Sequence, residues 1–595
     1  MAVDEVVVTG QGQEREAPVF IVDDAAIDLA SALLGRADVS LSTNSRGETG
    51  LAIRGRSERE VRTTINGFLL IDPWDDRLNL ANIPGASFSA DVSAIGDAAT
   101  GSGGALHLQT ITGPARRATA EAGDFGFFRG HGLVATSNSM VAIEGLTRDG
   151  VRAPDGADLP FSQTDIATRT NTDREQISLL AASEGDWRDL NLTGLALLSS
   201  ASYGVAPEGH LDPDQSNVRF WQIPEDDRLF VAGGAATDAS GLRADVKGWL
   251  HTSRQKINVF DDASYQAITR AETSSDFALG VDAAVSGERW SAGGSWSRAS
   301  HSEQETGQRT EEFSRNTYAL WGSLAHTLNA NLSVTGDVRH EGFATGDTGG
   351  RGRGPDLSLT TSRIRMIRAP ERGLGWSVTA ARIGRLPSQR ELYGEALGRF
   401  LVNPNLEAER AWLGEGAVTL IRTRSNLTVT TFIERRSHTI DQQIVEAEAG
   451  NLRQRINTDG YVAYGLEANG MIHVTEALTA DLSATVVEYD LRGDTEILTE
   501  RPEEQVAATL AYRPANRFDA EVRLRHQSGA RSLGDTGQPV DLPSGTAFDL
   551  EAGFSFAPGA RGYLRLDNAF DAEIVPQLGL PAPGRLLRIG ITAEF

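Results

Sequence analysis

Residues that could perform covalent chemistry are few in this chain and form no catalytic pattern. The ten histidines are scattered, without the H-E-x-x-H spacing of a zinc hydrolase, and no G-x-S-x-G turn occurs. Cysteine is absent, which excludes disulfides, thiolate metal sites and cysteine nucleophiles. The glycine-rich stretch GDTGGRGRGP (346–355) lacks the Lys-Ser/Thr of a phosphate-binding loop and is interpreted as a flexible outer loop. We therefore predict no catalytic residues and no enzymatic activity.

Acidic residues offer one candidate metal site. In DPWDD (72–76), Asp72, Asp75 and Asp76 supply the carboxylate oxygens that Ca²⁺ prefers. A solvated turn after a strand has the same composition, and the acids within 210–217 allow the same two interpretations. A structural calcium ion is thus one hypothesis, and no other cofactor or metal is predicted.

The overall charge narrows the range of partners. Lys and Arg total 56 against 81 Asp and Glu, which gives a net charge of −25. Such a protein would repel the phosphate backbone of a nucleic acid, so no nucleic-acid partner is expected.

The stretch DEVVVTG (residues 4–10) places three valines where a terminus is normally polar. It is either the first strand of a core or an edge strand for a partner outside the chain, and the segment alone does not decide. No basic region and apolar run precede it, so we expect a mature exported chain with an added initiator Met.

The elements that must position these residues are strands with one apolar and one polar face. LLRIGITAEF (586–595) and FDAEVRLRHQ (518–527) alternate apolar and polar residues with period two, and their second face is charged. No uninterrupted apolar run approaches the ~18 residues of a membrane helix. One face of the sheet is therefore apolar and the other is wet.

The connections alternate as well. Short ones such as 474–478, 513–517 and 557–561 are interspersed with long polar ones at 203–229, 342–358, 386–410 and 529–545. Short turns on one rim and long loops on the other predict a transmembrane β-barrel, with a soluble β protein such as a propeller as the alternative. Residues 1–113 differ, with a helical stretch at 24–35 and few long alternating runs, and indicate a separate α/β unit.

Five stretches, in this order along the chain, resemble the TonB-dependent receptors of Gram-negative outer membranes, and the resemblance covers essentially the whole sequence. They are DEVVVTG (4–10), VFIVDDAAIDLASALLGRADVSL (19–41), GLAIRGRSEREVRTTINGFLLIDPW (50–74), RLPSQRELYG with LVNPNLEAERAW (385–412), and LDNAFDAEIVPQLGLPAPGR (566–585). The resemblance implies a mainly β fold, a 22-stranded antiparallel transmembrane β-barrel at 114–595 with an N-terminal α/β plug domain, residues 1–113, inside it. It also implies a monomer surrounded by outer-membrane lipid.

The resemblance gives the first stretch a role. Asp4, Glu5, Val6, Val7, Val8, Thr9 and Gly10 match the family's TonB box, which implies docking to TonB and its inner-membrane energising complex. A short valine-rich strand suits β-augmentation, in which main-chain hydrogen bonds supply the affinity. The expected function is active import of a scarce ligand.

One departure concerns how plug and barrel hold together. Family members often pair two plug arginines with two barrel glutamates. Arg54 and Glu409 carry this lock over, but the second plug arginine has no match because 90–110 lacks the family's Arg-Gly-Pro stretch. We expect either a weaker lock or a substitute, Arg56 or Arg59.

The expected cargo is a ferric siderophore or a similar metal chelate, with cobalamin or an oligosaccharide as alternatives and a passive or structural barrel as the alternative from another class. By the resemblance, the plug apex and outer loops form the ligand site. Its candidates are Arg56, Glu58, Arg59, Phe220, Trp221, Arg351 and Arg353. Arginines suit anionic chelates and aromatic rings suit planar ligands. Copper(I) is disfavoured because only four Met are present.

Overall fold

The computed structural model describes residues 20–21, 26–56, 58–101, 103–161, 168–214, 216–370, 372–447, 450–515, 517–534 and 536–595. An N-terminal unit, called the plug below, precedes a closed barrel. The plug comprises β1 (Phe20–Ile21), α1 (Leu29–Leu33), β2 (Val39–Thr43), β3 (Thr49–Ile53), β4 (Val61–Ile65), β5 (Phe68–Leu70), β6 (Phe88–Ser93) and β7 (Gly104–Thr110), with 3-10 turns at Glu58–Glu60 and Leu80–Asn82. Five of its strands form a sheet in the order β1-β6-β7-β4-β5, and β2 pairs with β3.

After the plug the chain is almost entirely β-strand. The first half contains β8 (Ala115–Gly123), β9 (Phe128–Ala135), β10 (Ser139–Arg148), β11 (Arg174–Trp187), β12 (Leu190–Val205), β13 (Trp221–Ala239), β14 (Leu242–Phe260), β15 (Ile268–Ser286), β16 (Trp290–Glu305), β17 (Glu311–Asn329), β18 (Leu332–Thr348), β19 (Leu357–Arg368) and β20 (Gly373–Arg385). The second half contains α2 (Gln389–Tyr393), β21 (Phe400–Leu401), β22 (Glu409–Arg422), β23 (Ser425–Ser437), β24 (Thr439–Ala447), β25 (Gly450–Thr458), β26 (Tyr461–His473), β27 (Leu478–Leu491), β28 (Glu504–Tyr512), β29 (Phe518–Gln527), β30 (Arg531–Leu533), β31 (Pro539–Asp541), β32 (Gly545–Ala557), β33 (Ala560–Asp567) and β34 (Leu586–Glu594).

Twenty-two of the described strands close into one antiparallel barrel, as predicted. Closure occurs where β34 pairs with β8, with Ile589 opposite Ala122. The remaining strands β21, β24, β25, β30 and β31 lie in the connections between barrel strands. Closure matters physically because it removes the unpaired sheet edges that would otherwise aggregate.

The barrel connections alternate in length around the ring. One rim carries turns of two to five residues, such as 188–189, 423–424 and 513–517, and the other rim carries loops such as 149–173, 206–220, 386–408 and 438–460. The predicted loops at 203–229 and 342–358 are shorter than expected, since β12, β13 and β18 continue past the predicted strand ends. The extra residues are paired with the neighbouring strand, as Val205 is with Trp221.

The alternating faces lie as the sequence pattern indicates. In β34, Ile589 and Ile591 are exposed on the outer surface, whereas Arg588 and Thr592 are buried on the inner one. Aromatic side chains are exposed at or near strand ends on the short-turn rim, among them Trp187, which is typical of a membrane-interface girdle.

The plug lies inside the barrel, as its contacts with strands on widely separated parts of the wall show. Asn82 donates a hydrogen bond to Asp226 on β13 (2.9 Å), and Ala98 accepts one from Arg339 on β18 (3.0 Å). Arg54 forms an ion pair with Glu467 on β26. The last plug strand ends at Thr110 and the barrel begins at Ala115, so the predicted division between 113 and 114 falls in their connection.

Helix is scarce. Of the predicted helical stretch 24–35, the described part forms only the short helix α1, which Asp28 caps by accepting a hydrogen bond from the Ser31 amide. Among the described residues, no helix is both long enough and apolar enough to cross a membrane.

Candidate functional site

Arg54 anchors the plug to the barrel wall deep in the lumen. Its Nε and Nη2 donate to Glu467 at 2.7 and 2.5 Å, its Nη1 donates to Glu415 at 2.6 Å, and the guanidinium lies 4.2 Å from the Phe432 ring centroid. Arg54 and Gly55 follow β3 with φ of 54° and 69°, a left-handed turn that aims the side chain at the wall. Gly55 is required there, because a Cβ would lie 2.1 Å from the Tyr489 hydroxyl.

The lock differs from its prediction in its barrel partner. Arg54 pairs with Glu415 and Glu467 and not with Glu409, which is instead bound to Arg385 at 3.0 Å. Glu409 and Glu415 share the inner face of β22, but six residues of strand separate them by about 20 Å. Arg54 lies at the depth of Glu415, which is farther from the long-loop rim than Glu409.

A second set of ion pairs lies nearer the long-loop rim. Arg56 donates from Nε and Nη2 to Glu434 at 3.0 and 2.7 Å, and so forms a second pair between a plug arginine and a barrel glutamate. The plug's Glu60 is paired in the opposite sense with Arg436 of the barrel, which also pairs with Glu434. Glu409 lies 3.6 Å from Arg436 and so belongs to this set indirectly. Cations and anions thus come from both sides of the interface.

The DPWDD segment lies at the plug apex, and its carboxylates point to different arginines. Asp72 pairs with Arg228 of the barrel (3.3 Å), and Asp76 pairs with Arg315 (2.5 Å). Asp75 is surrounded by Arg59, Arg77 and Arg390, at 2.5, 2.9 and 2.8 Å. A calcium ion needs six to eight converging oxygens, which this arrangement does not provide. Within the described ranges, no group of three His, Cys, Asp or Glu residues could hold a metal ion.

The Trp of the same segment makes an aromatic contact that the sequence did not predict. Trp74 stacks on His301 of β16 with ring centroids 4.1 Å apart and an interplanar angle of 7°. Nδ1 of His301 lies 2.8 Å from Asp276, and Phe313 and Tyr393 continue the aromatic cluster. The sequence feature that could have indicated this contact is the single Trp among the acidic residues of DPWDD.

The other predicted ligand-site residues are dispersed. Glu58 pairs with Arg77 (3.0 Å), so Arg56, Glu58 and Arg59 each engage a different partner. Arg351 bridges the carboxylates of Glu311, the first residue of β17, and Glu395, in the loop 386–408. Arg353 pairs with Asp356 and is mostly exposed. Phe220 and Trp221 are buried on the wall formed by β12 to β14. The structure does not bring these seven side chains together.

The loop 386–408 covers part of the mouth. It begins with α2, where Ser388 and Glu391 form a reciprocal capping box and Arg385 pairs with Glu391 (2.7 Å). Further along, Leu397 is buried in an apolar cluster with Trp221 and Ile257 of the facing wall. One loop therefore connects β20 and β22 to strands about a third of the way around the barrel.

The family model "TonB dependent receptor-like, beta-barrel" matches residues 116–569. The chain belongs to the TonB-dependent receptors. Among curated sequences, none matches it significantly.

Solved structures of this family share the fold at low identity. The copper transporter OprC superposes with a TM-score of 0.80 at 13% identity, covering 96% of this chain and 98% of that one. The FrpB iron transporter from Neisseria meningitidis (F3-3 variant) gives 0.75 at 12%, covering 98% and 100%. The siderophore receptor PirA from Acinetobacter baumannii gives 0.72 at 11%, covering 96% of each chain. Receptors of this family are transporters, and the large β-barrel is of the type that sits in outer membranes.

The segment matched to the TonB box, residues 4–10, lies outside the described residues. Its docking role stays a prediction.

Proposed function

We propose that this receptor actively imports a scarce ligand across the outer membrane of a Gram-negative cell, and that the cargo is a ferric siderophore or a similar metal chelate. The observation that carries the proposal is a barrel whose lumen is filled by a plug and fastened to it by buried ion pairs. A passive channel gains nothing from such a gate, whereas an energised importer needs one.

The ion pairs explain why import would require external work. Arg54 and Glu467 are only 3% and 6% exposed, so separating them would leave two charges in a poorly hydrated interface. Breaking a buried pair costs about 3–5 kcal/mol, and several such pairs hold the plug. Thermal motion alone would rarely open this path. Pulling on a strand at 4–10 would supply the energy locally and loosen the plug stepwise.

A deletion of residues 4–10 tests the transport mechanism. We expect the truncated receptor to retain its cargo on the cell surface but to lose uptake, because binding resides in the plug apex and loops while the pulling strand is gone. Uptake that continues unchanged would refute TonB dependence and favour the passive barrel. A receptor with Val6→Ala alone is the control, since main-chain pairing tolerates one shortened side chain.

Native mass spectrometry tests the cargo. The detergent-purified receptor is incubated with spent medium from iron-starved cells of its host. A retained adduct containing iron supports a ferric chelate and gives its mass. A cobalamin or oligosaccharide adduct would replace that proposal. The fold shared with a copper transporter carries no argument for copper, because the identity is 13% and the chain holds four Met.

A further inference from the structure

The long loop 386–408 is held against the facing wall by an unusual local conformation. Ala396, Leu397 and Gly398 have φ of 49°, 58° and 74°, three successive left-handed residues of which only the last is glycine. L-residues avoid this region, so the conformation persists only where surrounding contacts impose it. Burial of Leu397 beside Trp221 provides one such contact.

Three guanidinium groups surround Trp221 at this point. The carbon atom Cζ lies 5.5 Å from the ring centroid for Arg219 and 5.8 Å for both Arg46 and Arg399. Arg46 belongs to the plug hairpin between β2 and β3, Arg219 to the loop 206–220, and Arg399 to the loop 386–408. Three separate parts of the receptor therefore place positive charge around one ring.

These cations are incompletely neutralised. Arg219 pairs with Glu208, and Arg46 pairs with Glu48 (3.4 Å), which it shares with Arg77. Arg399 makes no ion pair with any carboxylate that the structure describes. Its Nη2 and the Nε of Arg219 are buried N–H groups without a hydrogen-bond partner among the described residues.

The pKa of Arg399 is consistent with this incomplete neutralisation. Burial, and next the guanidinium of Arg219, lower the pKa of Arg399 to about 9. Although burial acts in the opposite direction, Arg219 and Arg399 lower the pKa of the Glu208 carboxyl, which faces both of them. One carboxylate thus offsets two close cations, in a protein whose net charge is −25.

We propose that Arg399, Arg219 and Arg46 form a binding site for an oxyanion, and that the cargo presents carboxylate or phosphate oxygens to it. Planar guanidinium groups match such oxygens in geometry and charge. The buried N–H groups without partners are the donors that an oxyanion would satisfy. This inference rests on the proposed import function and specifies the chemistry of its cargo.

The geometry argues against a neutral sugar at the same place. Trp221 is 3% exposed and is flanked by guanidinium groups, so no ring face is free to stack on a sugar. An anion bound here would contact the plug through Arg46 as well as two loops. Cargo occupancy would in this way reach the plug directly.

Binding by the purified full-length receptor in detergent tests the site without involving TonB. Citrate and inorganic pyrophosphate serve as probes and maltotriose as the neutral comparison, titrated by calorimetry at constant ionic strength because salt screens the charges. We expect both anions to bind and maltotriose not to bind. Arg399→Gln should weaken anion binding about 10- to 100-fold, the usual range for loss of one charge-assisted contact.

Arg531→Gln is the matched control. Arg531 lies on the same rim, is 63% exposed, is 3.6 Å from Asp541 and should leave affinity unchanged. Equal affinity of wild type and Arg399→Gln, binding of maltotriose as tight as citrate, or no heat from either anion at millimolar concentration would each overturn the site. If Arg399→Gln does not fold, Arg399→Lys decides, since a point charge should bind more weakly than the planar fork and an unchanged affinity refutes the geometry.

The outcome is separable from that of the proposed function. Deletion of residues 4–10 should leave anion affinity intact, because none of these residues belongs to the proposed site. If neither anion binds but deletion of residues 4–10 still abolishes uptake, the anion site is wrong and active import stands.

Discussion

Replacing Arg54 by Gln tests whether the ion pairs set the strength of the plug gate. The substitution removes the cation between Glu415 and Glu467 but keeps a polar, unbranched side chain at a left-handed position. Burial alone lowers the pKa of the Arg54 guanidinium, but the two carboxylates outweigh it and raise that pKa above its ordinary value. Two glutamates would be left facing each other without their cation.

The magnitude follows from the burial of the partners. The side chains of Arg54, Glu415 and Glu467 are 3%, 10% and 6% exposed, so the range for buried pairs applies and not that of surface pairs. Losing one partner of a buried pair costs about 3–5 kcal/mol. At about 1.4 kcal/mol per tenfold change, the fraction of receptors with a locally released plug rises by roughly two to three and a half powers of ten.

Hydrogen exchange of the backbone amides in β3, Thr49–Ile53, measures that fraction in detergent. We expect exchange in Arg54→Gln to accelerate by the factor above, while amides of the barrel strands keep their rates. Arg243→Gln is the control, because its pair with Asp238 (3.1 Å) is exposed and should contribute under about 1 kcal/mol. Unchanged exchange in β3 would show that apolar packing, and not the ion pairs, holds the plug.

Two further predictions concern the plug apex. Trp74→Ala removes the ring stacked on His301 and should lower the free energy of unfolding by about 3–5 kcal/mol. Trp74→Phe keeps an aromatic ring and should retain most of that free energy. Equal melting temperatures of the two variants would contradict a stabilising role for the stacked ring. Burial alone raises the pKa of Glu48, but Arg77 and Arg46 outweigh it and lower that pKa to about 2. A lowered carboxyl pKa stabilises the fold above the unfolded value of about 4.3. Exchange at 44–48 should therefore accelerate as pH falls from about 4.3 towards 2, and a flat profile would refute the pairing.

The barrel could be predicted from the sequence because its cause is local. Successive side chains of a strand in a membrane barrel face lipid and lumen alternately, so Ile589 and Ile591 face out while Arg588 faces in. The alternation of apolar and polar residues in the sequence is enough to predict this. Loop lengths on the two rims are equally local. The exact ends of β12 and β18 were not predicted, because strands continue beyond the apolar band by pairing with neighbours.

The barrel partners of Arg54 could not be predicted from local sequence patterns. Arg54 and Glu467 are 413 residues apart, and the inner faces of many strands carry carboxylates that a plug arginine could meet. Which one it meets depends on how deep and in which rotation the plug sits, and that is set by packing over its whole surface. The sequence therefore indicated arginine–glutamate pairing but not the partner.

The arginine cluster around Trp221 depended entirely on tertiary structure. Arg46, Arg219 and Arg399 lie in three segments whose local patterns differ, and none of the three was a predicted site residue. They meet because β12 to β14 form one wall, the plug hairpin rises beside it, and the loop 386–408 crosses to it. Periodicity records which face of a strand a residue occupies, whereas charge brought together from distant segments is decided only when the barrel closes around its plug.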